Sequence, residues 1–420
     1  MKNSRILMIT TSYPYGKGEP FVDPEMKFLS KYFKEVEIVP AYYKEGRINR
    51  NESLSVNLRY AKSRWGKYRI LTMAYGLFVS LNKYNWLDEL KYIFEHEHKW
   101  SNLLEIFRAL YRAQLFDEFL GKKLLKVGSA DSTLVYFYCM VPEILGALSF
   151  RNRTGSNIKI VSRGHGGDIY EDQHKGDYLG FRRAIASGID AVFCISNDGN
   201  SYLRKRYPSL EYKCHNAKLG VFDPGFLNSQ PVNGVLSLVS CAFIKALKRI
   251  DLIVDAVNCI LLTHPNVEVK WTHIGDGELF DEIREYSLLK LGNRAKVVFT
   301  GYLTEYQIMK LYRNESFDVF INVSTTEGLP VSLMEAASVG LPLVATNVGG
   351  TREIVNSDNG ILIPVESTAE DIASALLQFL DRSWALSLRE RSRLMWSEKF
   401  DAEKNHNLFC RNLVNILESS

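Results

Sequence analysis

Two glutamates in the last third of the chain carry the sharpest chemistry. Glu327 and Glu335, with seven residues between them, stand in Thr326-Glu327-Gly328-Leu329-Pro330-Val331-Ser332-Leu333-Met334-Glu335-Ala336. A short apolar run, Val319 to Asn322, precedes them and a helical pattern follows, so they span a strand–loop–helix turn. Pro330 suits a first helical turn, where no N–H is needed, and Gly328 lets the backbone approach a ligand closely. The amides near Val331 and Ser332 are then free, and the helix dipole favours an anion beside them. Carboxylates cannot bind that anion, but they accept hydrogen bonds from hydroxyls. A capping role explains Glu335 poorly, because it sits amid Leu333, Met334, Ala336 and Ala337. Lys248 and Arg249 follow another strand; two cations opening a helix oppose its dipole, which points to an anion they serve.

Other groups are secondary. Ser162-Arg163-Gly164-His165-Gly166-Gly167-Asp168 closes a strand, placing His165 among glycines, with Asp168 and Arg163 nearby. The loop after the first strand holds Gly16, Gly18 and Glu19. Gly16-Lys17-Gly18 and Gly275-Asp276-Gly277 both lack the third glycine of a dinucleotide fingerprint. His96-Glu97-His98 aims its two imidazoles to different sides of a helix, so no zinc site is expected. There is no P-loop and no nucleophile elbow.

These groups need strands to place them. Ile6–Thr10, a helix carrying Phe21, Met26, Leu29 and Phe33, and a strand over Val36–Val39 make a βαβ opening. Further strands are expected at 133–138, 158–162 and 191–195, with Ser196 capping a helix that runs to Tyr207. Residues 58–126 interrupt this rhythm with long helical patterns. From Val235, strands near 235–241, 267–274, 297–300, 318–322, 342–346 and 360–363 alternate with helices. Pro208, Pro224, Gly225, Pro231 and Gly234 mark a break. The reading is α/β, with a doubly wound domain over 1–215, a second over 216–395, and a helix over 396–420 returning to the first. In such sheets ligands bind beyond the carboxyl ends of the strands.

A chain of 420 residues suits two domains, and 46% hydrophobic with 24% charged residues is a soluble composition. A net charge of +4 does not imply nucleic acid. None of the six cysteines forms a C-x-x-C pair, so free thiols in a reducing compartment, the cytoplasm, are expected. The N-terminal apolar run is too short for a signal peptide, and no stretch reaches the ~20 apolar residues of a membrane span. Arg59, Lys62, Arg64, Lys67 and Arg69 interleave with Tyr60, Trp65 and Tyr68. That cluster reads either as a lipid-surface contact or as a solvated helix face whose aromatics turn inward.

The run Glu327-Gly328-Leu329-Pro330 … Glu335-Ala336, with Gly340-Leu341-Pro342 and Gly349-Gly350 … Glu353 downstream, resembles the donor-site signature of retaining glycosyltransferases of family 4, which have the GT-B fold. The resemblance covers most of the C-terminal half closely and the N-terminal half loosely. It implies two Rossmann-like domains facing across a cleft and a nucleoside diphosphate sugar as donor. Glu335 would hold ribose hydroxyls and Glu327 the transferred sugar. The backbone of Gly328, Leu329, Pro330 and Val331 would meet sugar hydroxyls and the distal phosphate. Lys248 would meet the diphosphate. Phe243 stands where the family commonly has Arg, with Arg249 or Lys245 as substitutes. His165 resembles the N-domain histidine, completing a catalytic set of Glu327, His165 and Lys248. Gly16, Gly18 and Glu19 resemble the acceptor loop, with Asp168 beside them. No D-x-D occurs, so no metal and no cofactor are expected. The acceptor implied is a saccharide or lipid-linked saccharide of capsule, O-antigen or exopolysaccharide. The enzyme would then be cytoplasmic, with a peripheral contact to the inner membrane face through 58–126. The same architecture also serves nucleotide-sugar epimerases, phosphorylases and catalytically silent binding subunits.

Overall fold

The computed structural model describes residues 4–15, 19, 22–44, 53–65, 69–95, 102–125, 133–174, 176–231 and 234–419. The chain divides into two compact units, residues 1–217 with 406–420, and residues 218–405.

In the first unit, β1 (Arg5–Thr10), α1 (Val22–Tyr32), β2 (Glu35–Pro40) and the short β3 (Ser55–Val56) lead into four helices. These are α2 (Arg59–Trp65), α3 (Arg69–Lys83), α4 (Trp86–Glu95) and α5 (Asn102–Leu124). Then come β4 (Thr133–Phe137), α6 (Glu143–Thr154), β5 (Lys159–Gly164), α7 (Arg182–Gly188), β6 (Ala191–Cys194), α8 (Asn197–Arg206) and β7 (Cys214–Asn216). The strands pair in the order β3-β2-β1-β4-β5-β6-β7, all parallel. Helices cover both faces of such a sheet, which is why every residue of β4 is buried. Ser196 caps α8, its hydroxyl accepting from the Gly199 amide.

The second unit runs β8 (Val235–Cys241), α9 (Ile250–Thr263), β9 (Glu268–Ile274), α10 (Phe280–Leu291), β10 (Ala295–Phe299), α11 (Glu305–Asn314), β11 (Val319–Asn322), α12 (Val331–Ser338), β12 (Leu343–Thr346), β13 (Gly360–Ile363), α13 (Ala369–Leu377) and α14 (Arg382–Lys399). Its strand order is β10-β9-β8-β11-β12-β13, again parallel. The order reverses at β8/β11, the switch point where a doubly wound sheet opens a crevice.

A helix over 396–420 is not what forms. α14 ends at Lys399 and α15 (Ala402–Glu418) begins after a break, where the Ala402 amide donates to Val221 O (3.1 Å). Residues 406–420 group with the first unit. There, α15 closes over a fully buried ion pair, Arg163 to Glu25 at 3.1 Å. Tyr136 donates to the same carboxylate (2.6 Å), and the Arg163 guanidinium lies 4.2 Å from the Phe409 ring centroid. Arg163 is therefore core, not a site residue.

The basic–aromatic cluster is partly absorbed in the same way. Glu143 is fully buried and needs cations. Arg112 grips it with two hydrogen bonds (2.9 and 2.6 Å), Tyr60 donates at 2.8 Å and Arg64 at 3.3 Å. Tyr60 and Arg64 thus turn into the fold, while Arg59 and Lys62 face solvent. Lys67 and Tyr68, like Gly16 and Gly18, lie outside the described residues. No helix among the described residues is long and apolar enough to cross a membrane.

Candidate active site

The loops after β8 and β11 leave adjacent strands at the switch point of the second unit, and they bring Lys248 and Glu327 together. Lys248 Nζ donates to Glu327 Oε1 at 2.6 Å. The β8 loop is held by β9. Trp271 Nε1–H donates to Ser240 Oγ (2.9 Å); Ala242 O beside His273 Nε2 can only accept, so a neutral ring carries its proton on Nε2, and Nδ1 accepts from the Ser240 hydroxyl (2.8 Å). The proton on His273 Nε2 then faces Ala242 O (3.2 Å). Burial lowers this histidine to about 4, in keeping with a neutral ring. Gly275, at φ 142°, passes so close that a Cβ there would lie 2.0 Å from Ala242 O.

Arg249 serves the scaffold. At φ 49°, its Nε and Nη1 donate to Val323 O and Val365 O, both at 2.7 Å, tying the β8 loop to the loops after β11 and β13. Its buried Nη2 has no acceptor among the described residues, and burial lowers the guanidinium below its ordinary value. Phe243 is exposed and Lys245 also faces solvent.

Leu329 and Pro330 pack inward, so only their backbone can serve a ligand. Pro330 precedes α12 with no side-chain cap. The first-turn amides of Val331 and Ser332 have no acceptor among the described residues. Behind them the Gly349–Gly350 turn packs on the Glu327–Gly328 backbone. Gly350 donates to Gly328 O (2.9 Å), and a Cβ on Gly349, at φ 48°, would lie 1.9 Å from Glu327 O. Glu335 is 8% exposed on α12; burial, with the Glu305 charge adding, pushes its carboxyl up to about 8. One turn therefore gathers a cation, the glutamate it pairs with, free amides and a second glutamate that stays largely protonated near neutrality.

In the first unit the β5 loop holds His165 and Asp168. The imidazole is not bare among glycines: it lies 4.7 Å from the Tyr138 ring centroid, at 38° to its plane. Asp168 accepts from the amides of His165 (2.7 Å), Gly166 (3.0 Å) and Met140 (2.8 Å). Burial raises its carboxyl, but hydrogen bonds from His165 and these amides bring it down to about 2. Cys139, His165 and Asp168 offer ligand atoms within 4.8 Å of one another. Both Asp168 oxygens already accept amides, and burial lifts the Cys139 thiol well above its ordinary range. That suits a hydrogen-bonded loop better than a cation. Glu19 is similarly engaged, its oxygens accepting from Thr11 (2.9 Å), Ser12 (2.7 Å) and Tyr13 (2.9 Å).

Sequence reasoning did not reach Asn322, Ser324 or His273. Asn322 alone left a trace, as a polar end to an apolar strand beside the Glu327 loop.

Residues 236–382 match the family model described as glycosyl transferases group 1. The putative colanic acid biosynthesis glycosyltransferase WcaL of Escherichia coli is 28% identical over 277 residues, 62% of this chain and 64% of that protein. The solved structure of the lipopolysaccharide outer core galactosyltransferase WaaB, in apo form, matches with a TM-score of 0.67 at 15% identity, over 98% of this chain and 99% of that one. HepE of Anabaena, in complex with UDP and glucose, matches at 0.64 and 15% identity over 97% and 99%.

Proposed function

We propose that the chain, whose residues 236–382 match group 1 glycosyl transferases and whose fold is that of the GT-B structures it resembles, moves a sugar, with retention of anomeric configuration, from a nucleoside diphosphate sugar to an acceptor hydroxyl. The observation that carries this reading is the Lys248–Glu327 contact at the switch point, beside the free α12 amides and Glu335.

In this reading the bond from the anomeric carbon to the distal phosphate oxygen breaks. Lys248 and the amides of Val331 and Ser332 meet the charge that develops on the leaving diphosphate. The acceptor hydroxyl enters on the same face and its proton passes to that diphosphate. Glu327 orients sugar hydroxyls and offsets positive charge at the ring, while Glu335 accepts from ribose hydroxyls. His165, on the β5 loop of the first unit, is the remaining member of the proposed catalytic set. No metal or cofactor enters these steps. The acceptor is a saccharide or lipid-linked saccharide of surface polysaccharide. The names of WcaL and WaaB support that context, as do the exposed Phe78, Leu87, Phe94 and Leu104 on α3, α4 and α5, which suit a lipid-bearing substrate.

The test pairs thermal stabilisation by a panel of nucleoside diphosphate sugars with donor turnover by Glu327→Ala and Lys248→Ala. At least one donor should stabilise the protein, and both variants should lose most turnover; wild-type rates in both would remove the assignment. Flotation with anionic liposomes at low salt tests the membrane contact, and absence of binding would remove it.

A further inference from the structure

Among the described residues, every donor that reaches the Glu327 carboxylate reaches the same atom. Lys248 Nζ (2.6 Å), Ser324 Oγ (2.7 Å) and Asn322 Nδ2 (3.1 Å) converge on Oε1. Among the described residues nothing donates to Oε2. The Asn322 amide cannot be reversed, because its Oδ1 accepts from the Ser324 N–H (3.0 Å), a group that only donates. Ser324 is anchored further by Thr346 Oγ1, which donates to its carbonyl at 2.5 Å. Asn322 and Ser324 are buried and short, whereas Lys248 is a long side chain on a loop, 20% exposed.

The three partners therefore differ in kind. We infer that Asn322 and Ser324 are positioning residues that hold Glu327 throughout turnover, while Lys248 is its exchangeable partner, passing from Glu327 to the diphosphate as the donor arrives. The inference rests on the site being a nucleoside diphosphate sugar site. A diphosphate carries more negative charge than one carboxylate and draws the ammonium away. Glu327 is then left anionic with two neutral donors still on Oε1, and Oε2 open to the sugar. Its charge is uncompensated only when the donor is in place, which is when positive charge develops at the ring. Until then, the Lys248–Glu327 pair competes with donor binding.

Calorimetric titration of the full chain with UDP, GDP and ADP tests the exchange. Glu327→Gln frees Lys248 and should tighten the diphosphate that binds wild type by roughly tenfold, although the variant has lost turnover. Lys248→Gln should weaken it, and in the double variant the tightening should vanish. Unchanged or weaker binding by Glu327→Gln, at a wild-type unfolding midpoint, overturns the exchange. Asn322→Leu and Ser324→Ala each remove a donor that orients Glu327, so they should leave diphosphate affinity within about twofold while lowering kcat by roughly tenfold, a split that a merely structural loss would not give. Diphosphate affinity that falls in step with kcat, at a lowered unfolding midpoint, overturns the positioning role. If no diphosphate binds wild type, the proposed function fails and the inference with it.

Discussion

Glu335→Gln tests the electrostatics of the second unit directly, because amide and carboxyl are nearly the same size and only one can ionise. The carboxyl's ordinary value is 4.5, and burial lifts it to about 8. Below the lower value it is protonated whether the chain is folded or not, so its titration does not change stability there. Between the two values the unfolded chain releases the proton and the folded chain keeps it, so stability falls as pH rises and the loss levels off above about 8. At about 1.4 kcal/mol per pH unit, the full loss is at most about 5 kcal/mol. Glutamine suffers none of it. Denaturant unfolding of wild type and variant at pH 5.5, 7 and 8.5 should show the variant gaining on wild type by roughly 3 kcal/mol across that range. A stability difference that does not change with pH would refute the reasoning, and one that moves against the variant would show that Glu335 is stabilised as an anion.

Gly349→Ala drives a Cβ into the Glu327 carbonyl at a positive φ, so it should cost roughly 1–3 kcal/mol and lower donor affinity more than tenfold in titrations. Arg163→Met leaves Glu25 buried without its cation; denaturation should show a loss of roughly 3–5 kcal/mol, partly restored by adding Glu25→Gln. Asp168→Asn gives up a carboxylate held near 2 by His165 and loop amides. Its stabilisation is complete above an ordinary aspartate value and lost as pH falls through about 2, so the variant should be less stable by roughly 2 kcal/mol at pH 7 and nearly level with wild type at the acid end of a pH series.

The strands of both sheets were legible because parallel strands buried on two faces read as continuous apolar runs, as Val319–Phe320–Ile321 and Leu134–Val135–Tyr136 do. β3 and β7, of two and three residues at sheet edges, are too short to impose a period. The Glu327–Glu335 turn was legible because its glycine, proline and carboxylates sit within eleven residues of sequence. What holds that turn was not. The Asn322 amide, the His273 tautomer, the Arg249 carbonyl bonds and the Gly349 approach depend on loops of neighbouring strands meeting, and no local spacing announces a contact across 79 residues such as Lys248 to Glu327. Sequence also left two charges unplaced. Arg163 and Arg64 looked available because they are cationic, yet each neutralises a buried glutamate, Glu25 and Glu143, whose partners lie far away in the chain.

The α15 segment that covers Arg163 also sets an order of assembly. Residues 218–405 form an uninterrupted stretch, so the second unit has all its parts as soon as that stretch leaves the ribosome. The first unit is begun earlier but completed later, because Phe409, Cys410 and Leu413, each at most 1% exposed, are supplied by residues made after the second unit. During synthesis the Glu25–Arg163 pair waits without its aromatic lid, and the half translated first is the half that matures last.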